Sequence, residues 1–318
     1  MNTRIIVSLL AVLIPLHTLS QSWKEIAVKD STSQRTLHGT LLIPETRGKI
    51  PVALIIAGSG PTDRNGNSAA MKSDYLKMLA EGLAANGIAS LRYDKRSIGQ
   101  STVAVKSEET MVFEDFINDA GSWIVQLKKD NRFSKVIVLG HSEGSLLGMI
   151  ASREFNADGY VSLAGAGRPI DQVLREQLAA NKNNPEELIK NANEILDTLK
   201  LGRRPKLINL YLLALFRPSI QPFLISWMKY DPALEIKKLT LPLMIVQGTT
   251  DIQASMVDAE LLHRAVPKAR YLVVEGMNHV FRDAPIDRSE NIKAYMDATR
   301  PLSATLVPSL VEFIREVK

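Results

Sequence analysis

The sequence predicts an α/β fold: a mostly parallel central sheet, helices on both of its faces, and a helical segment inserted late between two strands. Short, continuous apolar runs rich in β-branched residues recur along the chain, and segments with apolar residues at helical spacing lie between most of them. Runs that are apolar without alternation suit strands buried on both faces of a parallel sheet. Parallel neighbours need crossover connections, which helices supply. The alternation is broken once, by residues 168–238, which carry helical pattern, six prolines and no strand candidate.

The first element is set aside from the fold. Arg4 precedes an apolar run at 5–16, too short to span a bilayer but suited to the hydrophobic region of a secretory signal peptide. Small residues at Thr18 and Ser20 place the expected cut after Ser20. The expectation is an exported chain, secreted or periplasmic, with no stable membrane insertion after processing. Residues 23–28 and 36–43 then read as two antiparallel strands joined by the polar turn Asp30-Ser31-Thr32-Ser33. Further strands are expected at 52–56, 88–92, 136–139, 160–163, 243–246 and 271–274.

Helices fall between them. Tyr75, Leu76, Leu79 and Leu83 share a face that stops at Asn86-Gly87. Phe113, Phe116, Ile117, Ala120, Ile124 and Leu127 share another. Residues 255–265 form a further helix, and Leu306, Leu310, Phe313, Ile314 and Val317 make the last one one-sided. Residues 21–167 and 239–318 thus form the core, and 168–238 a helical cap. Within the cap, residues 207–216 are almost wholly apolar. They could form a buried helix, the wall of an acyl pocket or a contact between copies.

Composition narrows the chemistry. At 45% apolar and 23% charged, the 318 residues are neither disordered nor fibrous. With no cysteine there is no disulfide framework, thiolate zinc site or cysteine nucleophile. The net charge of +5 comes from interleaved charges and gives no argument for nucleic acid.

The strand candidate at 136–139 leads into Gly140-His141-Ser142-Glu143-Gly144, and a helical pattern follows. A G-x-S-x-G motif between a strand and a helix is a turn sharp enough to expose a serine, with glycines removing the Cβ atoms that would clash. A serine nucleophile needs a base, and the base needs an orienting acid. Beyond the signal segment the histidines are His38, His141, His263 and His279. His38 lies in an early strand, His141 adjoins the serine with its side chain directed away, and His263 lies on a helix. His279, in the loop after 271–274, remains as the base. Asp251, in the loop after 243–246, is the acid. Backbone N–H groups of Glu143 and Ser59 are the expected oxyanion donors, with Gly60 next. Gly58 and Gly60 are candidates to meet substrate. The loop Ala57-Gly58-Ser59-Gly60-Pro61 is followed by no phosphate-binding glycine pattern.

These residues resemble the α/β-hydrolase superfamily over nearly the whole chain after the signal segment, most closely its capped serine esterases and the branch labelled serine aminopeptidase-like. The similar pieces are residues 57–66, the run Arg92-Tyr93-Asp94-Lys95-Arg96-Ser97-Ile98-Gly99-Gln100-Ser101, the Ser142 elbow, Gly248 to Asp251, and Asn278-His279. The order Ser142, Asp251, His279 is the order of that superfamily. The resemblance implies hydrolysis of a small-molecule ester through an acyl-enzyme, with no metal or organic cofactor. Two positions depart from it: Ala57-Gly58 stands where many relatives have His-Gly, and Ser97 where glycine is common. An amidase or aminopeptidase could use the same triad, and an acidic cap cluster drawn from Glu176, Glu186, Glu187 and Glu194 would favour it. A ligand-binding module without turnover is the reading from a different class. Asp63, Arg64, Asp94 and Arg96 are expected to tie loops together.

Overall fold

The structure, a computed structural model, describes residues 21–30, 35–104 and 107–318. The expected signal segment and the turn at 31–33 lie outside the described residues. Eight strands form one sheet in the order β1-β2-β4-β3-β5-β6-β7-β8. They are β1 Gln21–Asp30, β2 Arg35–Pro44, β3 Ile50–Ile56, β4 Ala89–Tyr93, β5 Phe133–His141, β6 Gly159–Leu163, β7 Leu243–Gly248 and β8 Arg270–Val274. β1 and β2 are antiparallel to each other, and β2 is antiparallel to β4. Every later neighbour is parallel.

Alternate side chains of the central strands feed two cores. Val52, Leu54 and Ile56 pack with α2 (Phe113–Lys129) and α3 (Glu143–Glu154) on one face. Ala53 and Ile55 pack with α1 (Tyr75–Ala84) and α11 (Leu306–Glu316) on the other. Double burial is why these strands lack the polar alternation of a half-solvated sheet. β8 departs from the expectation of a strand buried on both faces. It lies at the sheet edge, and its Val273 is exposed.

Between β6 and β7 the chain forms only helices and turns: α4 Ile170–Ala180, α5 Glu186–Lys200, α6 Leu213–Phe216, α7 Gln221–Trp227 and α8 Pro232–Ile236. The apolar segment 207–216 is not one buried helix. It is a 3₁₀ turn at Leu210–Leu212 followed by the single-turn α6, in a stretch bounded by Pro205 and Pro218. Leu212 and Phe216 are buried, whereas Leu207 is 94%, Leu210 80% and Tyr211 87% exposed. After β7 come α9 (Met256–Ala265), capped by Ser255, and α10 (Arg288–Met296), which the sequence pattern did not announce. α10 buries only Asn291, Ala294 and Tyr295, too few apolar positions to mark a face. Among the described residues no helix is long and apolar enough to cross a membrane.

Candidate active site

The loops that follow β3, β4, β5, β7 and β8 leave the sheet at the carboxyl ends of its parallel strands, the edge where open α/β sheets bind ligands. Ser142 joins β5 to α3 with φ 54° and ψ −119°, a backbone conformation that costs a non-glycine residue about 1–3 kcal/mol. Its neighbours make the turn possible. A Cβ on Gly140 would lie 2.2 Å from the Gly144 carbonyl oxygen, and one on Gly144 would lie 2.4 Å from the Ile56 carbonyl oxygen. Gly140 is therefore required by the closeness of the turn to the start of α3, and Gly144 by close packing against the end of β3. The Ser142 N–H donates to the Leu163 carbonyl at 3.0 Å, which anchors the strained residue to β6.

His279 Nδ1 and Asp251 Oδ2 are 2.8 Å apart, with both side chains almost fully buried. The carboxylate accepts, so Nδ1 carries the proton and Nε2 is left with its lone pair, the form a base needs. Asp251 is itself held: Oδ1 accepts from the Gln253 and Ala254 N–H groups at 2.8 and 3.0 Å, and Oδ2 also accepts from Gln247 Nε2 at 3.1 Å. Gln247 was not singled out in the sequence, although a buried polar residue ending an apolar strand is a usable signal.

His141 is packed beside the base, its ring centre 4.6 Å from that of His279. Its Nε2 lies 2.9 Å from the His279 carbonyl oxygen and its Nδ1 3.0 Å from the Tyr75 hydroxyl. The carbonyl can only accept, so Nε2 is protonated and Nδ1 accepts from Tyr75. His141 thus fixes the backbone of His279. Burial, then the charge of nearby His279, holds His141 well below the ordinary histidine value. The unfolded chain binds this proton and the native state does not. Stability is therefore complete above the unfolded value of about 6.5 and falls below it, by up to about 1.4 kcal/mol per pH unit, until His141 titrates within the fold. Comparing urea unfolding of the wild type and His141→Gln between pH 5 and 7 isolates this contribution. The variant is expected to show the flatter slope; identical slopes would assign the dependence to other groups.

Ser59, Gly60, Ser142 and Glu143 share the wall of one cavity of about 690 Å³. Glu143 is the first residue of α3, where a backbone N–H has no intrahelical acceptor. Gly58 is not among the residues that line this cavity, and it approaches the elbow closely. A Cβ there would lie 3.0 Å from that of Ser142, and its carbonyl oxygen accepts from Lys95 Nζ at 2.7 Å. Lys95 Nζ also lies 2.6 Å from Glu143 Oε1, in an ion pair buried to 4% and 3% exposure.

The remaining wall is mainly apolar, with Phe116, Leu146, Val173, Leu174, Phe223 and Trp227 among its members. It is thus built from the core as well as from helices between β6 and β7. Of segment 207–216, Ala214 and Leu215 reach it. Its acidic members are paired: Glu143 with Lys95, and Glu108 with Arg217, whose hydrogen bonds hold the Glu108 carboxyl below its usual range. Glu186, Glu187 and Glu194 are exposed, Glu176 pairs with Arg168, and none of the four lines the cavity. The other charged candidates tie loops. Arg64 pairs with Asp94 at 2.9 Å, Arg96 grips Asp119 at 2.6 and 2.8 Å, and Asp63 Oδ1 caps the Asn65 and Asn67 N–H groups. Ser97 has φ 69°, in the left-handed region that favours glycine. His38 lies in β2, and His263 stacks on Tyr271.

A sheet of this order, with a strained G-x-S-x-G turn after β5 and an Asp–His pair after β7 and β8, is the α/β-hydrolase fold, which solved esterase structures share. Residues 69–210 match the family model described as serine aminopeptidase, S33, a span that contains Ser142 and ends before Asp251 and His279. The chain is 30% identical over 248 residues to esterase EstD of Thermotoga maritima, covering 77% of this chain and 58% of that protein's length. Two solved structures share the fold. Est1E of Butyrivibrio proteoclasticus, solved with ferulic acid, has a TM-score of 0.59 at 15% identity, covering 92% of this chain and 96% of that one. An esterase of Pyrococcus furiosus has a TM-score of 0.61 at 16% identity, covering 94% and 91%.

Proposed function

We propose that the chain is a serine carboxylesterase acting on small-molecule esters whose acyl or aryl part is apolar and larger than acetate. The observation that carries the reading is the buried Asp251–His279 pair, packed against the His141 that directly precedes a strained Ser142, with Ser142 at the wall of a largely apolar cavity. Ser142 Oγ attacks the ester carbonyl carbon while His279 Nε2 takes its proton, and the N–H groups of Ser59 and Glu143 receive the oxyanion. The tetrahedral species collapses, His279 returns the proton to the departing alkoxide, and water repeats the cycle on the acyl-enzyme. The esterase activity named for the Thermotoga maritima relative supports this assignment.

Recognition of a free amine would need an unpaired carboxylate in the cavity. The acidic residues that line it are engaged by Lys95 and Arg217, which favours esters over aminopeptidase substrates. The helices of residues 168–238 act as a cap that sets acyl selectivity. Residues 1–20 serve as an export signal, a reading that rests on their apolar run and small-residue cut site.

The test is a panel of p-nitrophenyl esters from acetate to long acyl chains, run beside aminoacyl p-nitroanilides. Esters of intermediate and long chains are expected to be turned over fastest, and anilides slowest. Leu215→Asp, which places a charge in the wall, should depress the long-chain esters more than acetate. Faster turnover of anilides would transfer the protein to the aminopeptidase reading, and equal loss on all esters with an intact fold would remove Leu215 from the acyl pocket.

A further inference from the structure

We propose that Lys95 is a positioning residue that holds the two oxyanion donors in register, an inference that rests on the esterase reading above. Lys95 follows β4, Gly58 follows β3 and Glu143 follows β5, and these strands are neighbours in the order β4-β3-β5. The ammonium therefore reaches across β3, over two strand spacings of roughly 4.8 Å each, to meet Glu143. On the way it donates to the Gly58 carbonyl at 2.7 Å, and it ends on Glu143 Oε1 at 2.6 Å. Each contact touches a residue tied directly to an oxyanion donor. The Gly58 carbonyl belongs to the peptide whose N–H is that of Ser59, and Glu143 carries the second N–H.

The planarity of the peptide makes the first contact decisive. The C=O of Gly58 and the N–H of Ser59 lie in one rigid unit and point in opposite directions, so fixing the oxygen aims the hydrogen. The loop itself supplies little restraint, because Gly58 and Gly60 flank Ser59. The second contact fixes the start of α3. Phe116 supports the ammonium, with Nζ 5.8 Å from its ring centroid.

Stability alone is a weak reason for such a pair. Desolvating two charges offsets most of their attraction, and an apolar pair of similar volume would hold the fold as well. A function for the pair lies in precision, since a displacement of about 1 Å at a reacting geometry can cost on the order of 10²-fold in rate. This also gives a role to the Asp94-Lys95-Arg96 run: Asp94 and Arg96 are engaged with Arg64 and Asp119, while Lys95 turns toward the oxyanion loop.

The test uses Lys95→Met and the double variant Lys95→Met/Glu143→Gln. The double variant leaves no unpaired buried charge and carries the test should the single one unfold. Three quantities are read: kcat and KM on the preferred ester, the rate of fluorophosphonate labelling, and the affinity for a trifluoromethyl ketone whose acyl group matches that ester. The ketone adduct and the phosphonyl oxygen both draw on the oxyanion donors, as the ground-state ester does not. The expected result is a loss of roughly 10²-fold in kcat, with the ketone affinity and the labelling rate falling in parallel and KM changing little. Unchanged ketone affinity in both variants overturns the proposal, as does a fall confined to thermal stability. The ketone series runs beside Ser142→Ala. Turnover surviving in Ser142→Ala would defeat the esterase reading itself, whereas a silent Ser142→Ala with intact ketone affinity in the Lys95 variants defeats only the role of Lys95.

Discussion

Ser142→Ala is expected to lose about 10⁶-fold in kcat on every ester and to give no fluorophosphonate adduct, while unfolding at the denaturant concentration of the wild type or slightly above it. The size of the effect follows from covalent catalysis. Without Oγ no acyl-enzyme forms, and only direct attack by water remains, assisted by the oxyanion donors. The neutral effect on stability follows from the turn. The strain at φ 54° belongs to any residue with a Cβ and is unchanged in alanine, and the Ser142 N–H keeps its bond to Leu163. His279→Ala should cost nearly as much. The double variant Ser142→Ala/His279→Ala should be no worse than either single one, because residues that act as a unit do not add. Near-normal turnover in Ser142→Ala, in a preparation free of host esterase, would reduce the elbow to a structural turn.

The second large effect is at Asp251. Asp251→Asn should keep the fold and lose about 10⁴-fold, by analogy with replacement of a triad aspartate in a serine protease. The hydrogen-bond pattern explains why the amide cannot substitute. Both carboxylate oxygens face donors: the Gln253 and Ala254 N–H groups at Oδ1, and His279 Nδ1 and Gln247 Nε2 at Oδ2. An asparagine keeps its oxygen toward the two backbone donors and turns its NH₂ toward His279. That presentation favours the tautomer with the proton on Nε2, which cannot accept a proton from Ser142. Measured as kcat/KM on the preferred ester, a loss smaller than tenfold would mean that Asp251 does not orient the base.

Strand by strand, the fold was legible because β3 to β7 are short apolar runs separated by helices whose buried faces repeat at 3.6 residues. The elbow was legible because its glycines flank His141-Ser142-Glu143 between a strand run and a helical run, although the contact that demands Gly144 is with Ile56 of β3. His279 was reachable by elimination among few histidines, and Asp251 by its place at the end of a strand. α10 was missed because it buries only Asn291, Ala294 and Tyr295, leaving no apolar stripe. The segment 207–216 was misleading in the opposite sense, since its apolar residues divide between the interior and solvent within a broken helix.

The chain's own order of residues thus determined the α/β alternation, the nucleophile turn and the succession Ser142, Asp251, His279, because each depends on periodicity or on a few neighbouring positions. Tertiary structure alone decided the pairing of Lys95 with Gly58 and Glu143, the protonated nitrogens of His141 and His279, and the joint cavity wall of core and inserted helices. These contacts join residues 28 to 138 positions apart, brought together by a strand order, β4-β3-β5-β6-β7-β8, that differs from the order of the chain. No local period encodes such a contact, because the free energy that selects it comes from burying two sheet faces at once.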